Sequence, residues 1–444
     1  MINARTALRF KDALPAATDV VVIGGGVIGV FAALYLRRMG KSVVLCEKGR
    51  VAGEQSSRNW GWIRQQGRDP AELPLAIEAR HLWKAVDKEL GGGAGYTQGG
   101  VHYLASTEQE IENLTPWLEI AKQHGLGSMM LSAAQVSSLI RQETLGARTW
   151  IGGLYTPTDG RAEPWQAVPA VSELAHAEGV VFREGCAVRC LDVAGGRLAG
   201  VVTECGRVGA EQVVLAGGAW SSLLLRRHGM SIPQLMVRGT VCATEPLPEV
   251  LAGCAIDEEF ALRRRTDGGY TLAGHHTHHM VGPDSFRHAL SYAPLLKSFP
   301  DIGFRLAGFH NPDAWGTRRQ WGGDEVTPFE TTRVLDPPPD DATVQRLRGS
   351  FAARFPELGA PAIKGAWGGM IDTMPDIVPI VDRMPQLPGL TVATGMSAHG
   401  FGIGPAYGKA IAHIVAGTDV GHDMRRFRAG RFADGSQLDP GPSL

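Results

Sequence analysis

Residues 20–36 carry no charge, and Gly24-Gly25-Gly26 interrupts them where a Val/Ile run gives way to helix-forming residues. An apolar stretch of this length suggests a signal peptide or a membrane span. Three consecutive glycines at its centre, with no small-residue cleavage site behind it, make it instead a strand turning into a helix. Residues 19–23 read as a buried parallel strand: short, β-branched, without alternation and closed by glycine. Residues 27–39 then place Ile28, Phe31, Ala32, Tyr35, Leu36 and Met39 at helical spacing, and Gly40 stops the helix. A second strand over 42–46 ends at Glu47. The order strand, helix, strand within about thirty residues requires a parallel pair with a crossover helix.

Gly24-Gly25-Gly26-Val27-Ile28-Gly29 therefore meets G-x-G-x-x-G in the context that gives the pattern its meaning, with Glu47 eighteen residues past Gly29. Gly24 permits the tight turn, and Gly26 lets backbone touch a pyrophosphate. Gly29 lets helix and strand pack closely. The helix start, at Val27 and Ile28, offers unpaired N–H groups and a partial positive charge to phosphates. Glu47 can accept from an adenosine ribose, and its charge disfavours a 2′-phosphate. A dinucleotide is expected.

Two more strands, over 212–216 and 390–394, also end in glycine turns, Gly217-Gly218-Ala219-Trp220 and Gly395 through Gly402. A nicotinamide enzyme has no need of a second such turn near the far end of the chain, whereas a larger, permanently held flavin dinucleotide does. A helix starting near Pro405, with proline at its first position, would aim its N-terminus at an anionic flavin edge. Helices are also expected over 72–90, 108–124, 132–140, 163–178 and 343–355, a strand over 101–105 and a β-meander over 187–208.

Lys+Arg is 44 and Asp+Glu 45, so the net charge of −1 gives no electrostatic reason to expect nucleic acid or an anionic membrane as partner. Six cysteines without a CxxC pair argue against a disulfide framework or a zinc site and for a reducing, cytoplasmic compartment.

These motifs resemble the D-amino-acid oxidase superfamily of FAD oxidoreductases, which includes glycine oxidase, sarcosine oxidase, D-amino-acid dehydrogenase and the opine oxidases. Besides the fingerprint and Glu47, the resemblance rests on Gln55-Ser56-Ser57-Arg58-Asn59-Trp60-Gly61, Gly99-Gly100, Asp159-Gly160-Arg161 with Pro164, residues 213–220, Met374-Pro375-Asp376 and residues 395–402. It implies an α/β (α+β) fold: a Rossmann-like FAD-binding domain from segments 1–95, 151–225 and 365–444, with an antiparallel β-sheet substrate domain, 96–150 and 226–364, inserted. It implies hydride transfer from an amine-bearing carbon to flavin N5, giving an imine that hydrolyses. With the glycine turns, it assigns FAD contacts to Gly24, Gly26, Val27, Ile28, Gly29, Glu47, Lys48, Ser56, Ser57, Arg58, Trp60, Gly61, Val188, Ala216, Gly217, Trp220, Gly369, Ile371, His399, Gly400, Phe401, Gly402 and Ile403. The substrate is an amino acid or an N-substituted, opine-like amino acid. The electron acceptor is oxygen, a quinone or a partner subunit, and the chain is a homo-oligomer or part of a hetero-complex. The alternatives are a flavin-binding catalytic subunit of a multi-subunit amine or opine dehydrogenase, and a D-amino-acid dehydrogenase.

One departure bears on substrate. Many members of that superfamily carry an arginine for the substrate carboxylate where this chain has Ile371, and isoleucine cannot replace a planar bidentate donor. Arg64, just past the Ser-Ser loop, is the preferred replacement. Among His275, His276, His278 and His279, His276 is the candidate for the flavin pocket, and a metal is not expected; His399 lies in the flavin-side turn. Glu54 and Asp372 are candidate partners for a substrate ammonium. Arg263-Arg264-Arg265 reads as a solvated hairpin end or, in its sharper version, a clamp for an acidic substrate.

Overall fold

The computed structural model describes residues 1–140, 149–298 and 302–441. Its first sheet has six strands in the order Ile380–Arg383, Leu390–Thr394, Gln212–Leu215, Val20–Ile23, Val43–Glu47 and Val181–Glu184. All neighbours are parallel except the edge strand Ile380–Arg383. The Val/Ile runs lack alternation because both faces are covered. On one face lie the helices Val27–Arg38, Pro164–Ala177 and Gly400–Ala416. On the other lies a meander of Val188–Ala194, Arg197–Thr203 and Gly206–Gly209, joined at Gly195-Gly196 as the sequence suggests. Register aligns the strand ends: Ile23 pairs with both Cys46 and Leu215, and Leu215 with Val392. Three glycine turns, remote in sequence, therefore leave the carboxyl edge of one sheet side by side, where ligands of doubly wound sheets bind.

The second sheet is built around Leu235–Thr244, which pairs antiparallel with Ile363–Thr373 along almost its whole length. It is mixed, not purely antiparallel as expected. Cys254–Ile256 runs parallel to Val101–Ala105, and His278–Val281 parallel to Gly303–Leu306. Ile363–Thr373 delivers Gly369, Ile371 and Asp372 to the first sheet, where the Gly395 N–H donates to Asp372 Oδ2 at 2.7 Å.

Two helices depart from expectation. The 108–124 segment forms Glu108–Leu114 and Trp117–Gln123, divided at Thr115-Pro116, because proline brings no N–H to continue the first helix. The C-terminal helix starts at Gly400, five residues before Pro405. Proline is tolerated inside it because the Phe401 carbonyl, which the absent Pro405 N–H would have served, accepts the Trp83 indole N–H at 3.2 Å.

The arginine run is neither solvated nor a clamp. Arg263 is fully buried and forks onto both oxygens of Glu163 at 3.0 and 3.1 Å, and Arg265 is held by Asp267 and the Thr244 carbonyl. Arg263→Met strips the buried Glu163 of both guanidinium hydrogen bonds and leaves it only the longer 4.0 Å approach of Arg161, so unfolding free energy should fall by roughly 3–5 kcal/mol, read as a lower urea midpoint.

Candidate functional site

A cavity of about 500 Å³ runs along the carboxyl edge of the first sheet and continues beneath the Leu235–Thr244/Ile363–Thr373 ribbon. Its walls include Gly24, Gly26, Val27, Ile28, Glu47, Lys48 and Val188 at one end and Arg64, Ile371, His399, Gly400 and Phe401 at the other. Ser56, Arg58, Trp60, Gly61, Ala216, Gly217, Trp220 and Gly369 lie along the same cavity.

At the fingerprint end, Gly24 has φ +108°, and a Cβ there would overlap the Ala216 carbonyl, so the first two glycine turns touch. The Val27–Arg38 helix has no side-chain cap of its own; the Val27 N–H donates to Ser56 Oγ at 2.9 Å. A Cβ on Gly26 would stand 3.2 Å from that same oxygen, inside the cradle. The Glu47 carboxylate accepts from the Gly25 and Gly49 N–H groups, each at 2.7 Å. Burial pushes its carboxyl up to about 7. This cradle of helix start, Gly26, Ser56 and Glu47 fits an adenosine diphosphate moiety.

Along the middle, several expected contact residues are committed elsewhere. Lys48 Nζ donates to Glu54 at 2.6 Å and to the Thr332 carbonyl at 2.8 Å. Glu54 also accepts from Trp220 Nε1 at 3.0 Å and from the Leu335 N–H at 2.9 Å. Glu54 is therefore a brace and not the partner expected for a substrate ammonium. Asp372, also on the cavity wall, is committed through one oxygen only: its Oδ2 accepts from Gln234, Thr394 and Gly395, while its Oδ1 is buried without a hydrogen-bond partner. The Arg58 guanidinium donates to Asp336, the Ile2 carbonyl and the Gly53 carbonyl, holding the Ser-Ser loop from behind.

Five expected site residues are not on the cavity wall. His276 is exposed and not on the cavity wall, although its neighbours His275, itself exposed, and Thr277 line the cavity from the irregular segment before the His278–Val281 strand. Ser57 is buried under the loop, its hydroxyl near the Glu54 carbonyl. Gly29 packs against the Gly24 carbonyl, Gly402 against the Trp62 carbonyl, and Ile403 belongs to the core between helices.

At the far end, the Gly400–Ala416 helix opens on the cavity with no side-chain cap and no acid in its first turn. His399 precedes it, with Nδ1 3.0 Å from Glu72 Oε2, and Tyr407 donates to Glu72 Oε1 at 2.9 Å. Burial lowers the His399 imidazole to about 4, so it is neutral near pH 7 and its Nδ1–H donates to the Glu72 carboxylate. Arg64 Nη1 donates to the Gln66 carbonyl at 2.7 Å and to the Tyr103 hydroxyl. Asp159 fixes this segment by accepting from the Gln65 and Gln66 N–H groups at 2.8 and 3.3 Å. Arg68, Glu72 and Tyr103 were not anticipated. Only Arg68's place four residues after Arg64 could have drawn notice to it. Ala52, Ile377, Ser397 and Ala398, the non-glycine residues with left-handed φ among those described, all line the cavity. Such geometry persists where a site fixes it.

Among the described residues, no group of three or more His, Cys, Asp or Glu is arranged to hold a metal. No helix among them is long and apolar enough to cross a membrane.

The chain is similar to human mitochondrial sarcosine dehydrogenase, 26% identical over 93% of this chain and 42% of that protein, and so spans less than half that relative's length. It is 25% identical to the sarcosine oxidase subunit beta of an Arthrobacter species, over 95% of this chain and 92% of the other. Among solved structures, L-amino acid deaminase from Proteus myxofaciens superposes with a TM-score of 0.91 at 27% identity, covering 98% of this chain and 100% of that one. A family model described as FAD dependent oxidoreductase matches residues 19–414. With a match across that span, and a cradle that fits an adenosine dinucleotide, the chain belongs to the FAD dependent oxidoreductase family.

Proposed function

We propose that this protein oxidises the C–N bond of an amino acid or an N-substituted amino acid. The observation that carries the reading is the single cavity joining the Glu47 cradle to Arg64, which provides for cofactor and carboxylate in one enclosure. When bound, FAD supplies the hydride acceptor, and the resulting imine hydrolyses in water.

The protein's part is binding and orientation. Glu47 receives the ribose hydroxyls, and the start of the Val27–Arg38 helix receives the phosphates. The uncapped start of Gly400–Ala416, on the cavity wall, would stabilise negative charge developing on the reduced flavin. Arg64 holds the substrate carboxylate, and Trp60, Trp62 and Ile371 exclude water around the reacting carbon. His399, neutral and bonded to Glu72, positions the turn that ends at Gly400. In this reading segments 1–95, 151–225 and 365–444 form the cofactor domain, and 96–150 with 226–364 form the substrate domain. Six unpaired cysteines support a reducing, cytoplasmic setting.

The names of the relatives support the substrate class. A second reading, a catalytic subunit within a larger amine dehydrogenase, is favoured by the likeness to a sarcosine oxidase beta subunit. Purified protein should be yellow, and its flavin should bleach anaerobically in a screen of L-, D-, N-methyl and N-carboxyalkyl amino acids. Colourless protein that takes up no FAD defeats the reading. Bleaching that needs a co-expressed neighbour selects the subunit version.

A further inference from the structure

Seven arginines are buried among the described residues: Arg58, Arg68, Arg161, Arg263, Arg265, Arg354 and Arg431. Six have a carboxylate within 4.0 Å: Arg58 has Asp336, Arg161 and Arg263 share Glu163, Arg265 has Asp267, Arg354 has Asp257, and Arg431 has Asp376. Arg68, 3% exposed and on the cavity wall, has none, and its Nη1 is buried without a hydrogen-bond partner. Its one hydrogen bond runs from Nε to the Arg64 carbonyl at 3.4 Å. Glu72, whose charge is felt at Arg68, has one oxygen on Tyr407 and the other on His399, and makes no ion pair with Arg68 within 4.0 Å. Burying an unmatched guanidinium is unfavourable by several kcal/mol unless an anion joins it. Burial first, and then the neighbouring Arg64 charge, lower the guanidinium pKa to about 10, and the Glu72 charge offsets this only in part.

We infer that Arg68 is the buried anion receptor of this cavity and, with Arg64 beside it, closes on the carboxylate of the substrate. The inference rests on the amino-acid reading above. It gives the site a direction. The acid end of the substrate sits against the 64–68 loop, and its remainder extends toward Ile371, on the wall where relatives in the superfamily would place the carboxylate clamp. The chain thus holds its substrate from the loop and not from the Ile363–Thr373 strand.

The test titrates FAD-loaded protein with benzoate, followed by flavin absorbance, with benzamide as the uncharged isostere. Arg68→Met should raise the benzoate Kd by roughly 30- to 1000-fold, the range for truncating one partner of a buried charge pair, and leave benzamide binding and flavin content unchanged. Arg68→Lys should restore part of the loss, since lysine keeps the charge but not the fork. If Arg68→Met does not fold, Arg68→Lys carries the same comparison, with benzoate alone weakened about tenfold. The inference is overturned if benzoate leaves the wild-type spectrum untouched. Equal weakening of benzoate and benzamide, or loss of flavin in both variants, also overturns it. Amine-driven bleaching together with an unaltered benzoate Kd in Arg68→Met removes Arg68 alone. Arg68-dependent benzoate binding in a protein that no amine bleaches removes the oxidation reading instead.

Discussion

Gly24→Ala should produce protein that retains little FAD and unfolds at a markedly lower urea concentration. A side chain at φ +108° is strained wherever it stands, by roughly 1–3 kcal/mol. Here the added Cβ must also push away the Ala216 carbonyl, prising apart the two turns that share the cavity. Together the effects should reach about 3–5 kcal/mol, and the flavin-to-protein absorbance ratio should fall with them. Gly40→Ala is the matched control. It has φ +82° but nothing within 4 Å of its Cβ, so only the backbone strain remains. If both variants hold flavin equally well, the contact between the turns is irrelevant to binding.

Arg64→Met should raise the Michaelis constant for the amino acid roughly 30- to 1000-fold while kcat and flavin content stay near wild type. Methionine keeps the aliphatic stem and removes the charge and the donors. Arg64 already gives one nitrogen to the Gln66 carbonyl and the Tyr103 hydroxyl, which fix the guanidinium before substrate arrives. Binding would then draw on a preset fork and not on a mobile side chain. Loss of flavin with an unchanged Michaelis constant would assign Arg64 to the cofactor instead.

The parts of the fold that were readable in the sequence are those in which neighbours along the chain decide the outcome. The Val20–Ile23 strand, the glycine turn and the Val27–Arg38 helix follow from local periodicity, and Glu47 from its distance to them. The misread parts depend on partners far away. Pro405 looks like a helix start until Trp83, more than three hundred residues earlier, serves the carbonyl that proline leaves open. Arg263 looks solvated until Glu163 appears opposite it. A histidine run does not reveal which of its members line a cavity, and here His275 does and His276 does not. Nothing local marks Gln65-Gln66-Gly67-Arg68-Asp69 for burial; Asp159, accepting from the Gln65 and Gln66 N–H groups, folds it under cover.

The four left-handed residues Ala52, Ile377, Ser397 and Ala398 have a thermodynamic corollary. Each holds its loop in a geometry that an L-residue leaves readily, at roughly 1–3 kcal/mol apiece. Whatever fills the hollow between them resists that relaxation, so occupancy and local rigidity are linked quantities. Loops that surround a ligand in this way should stiffen together as it binds, and slow amide exchange there would register saturation as faithfully as colour does.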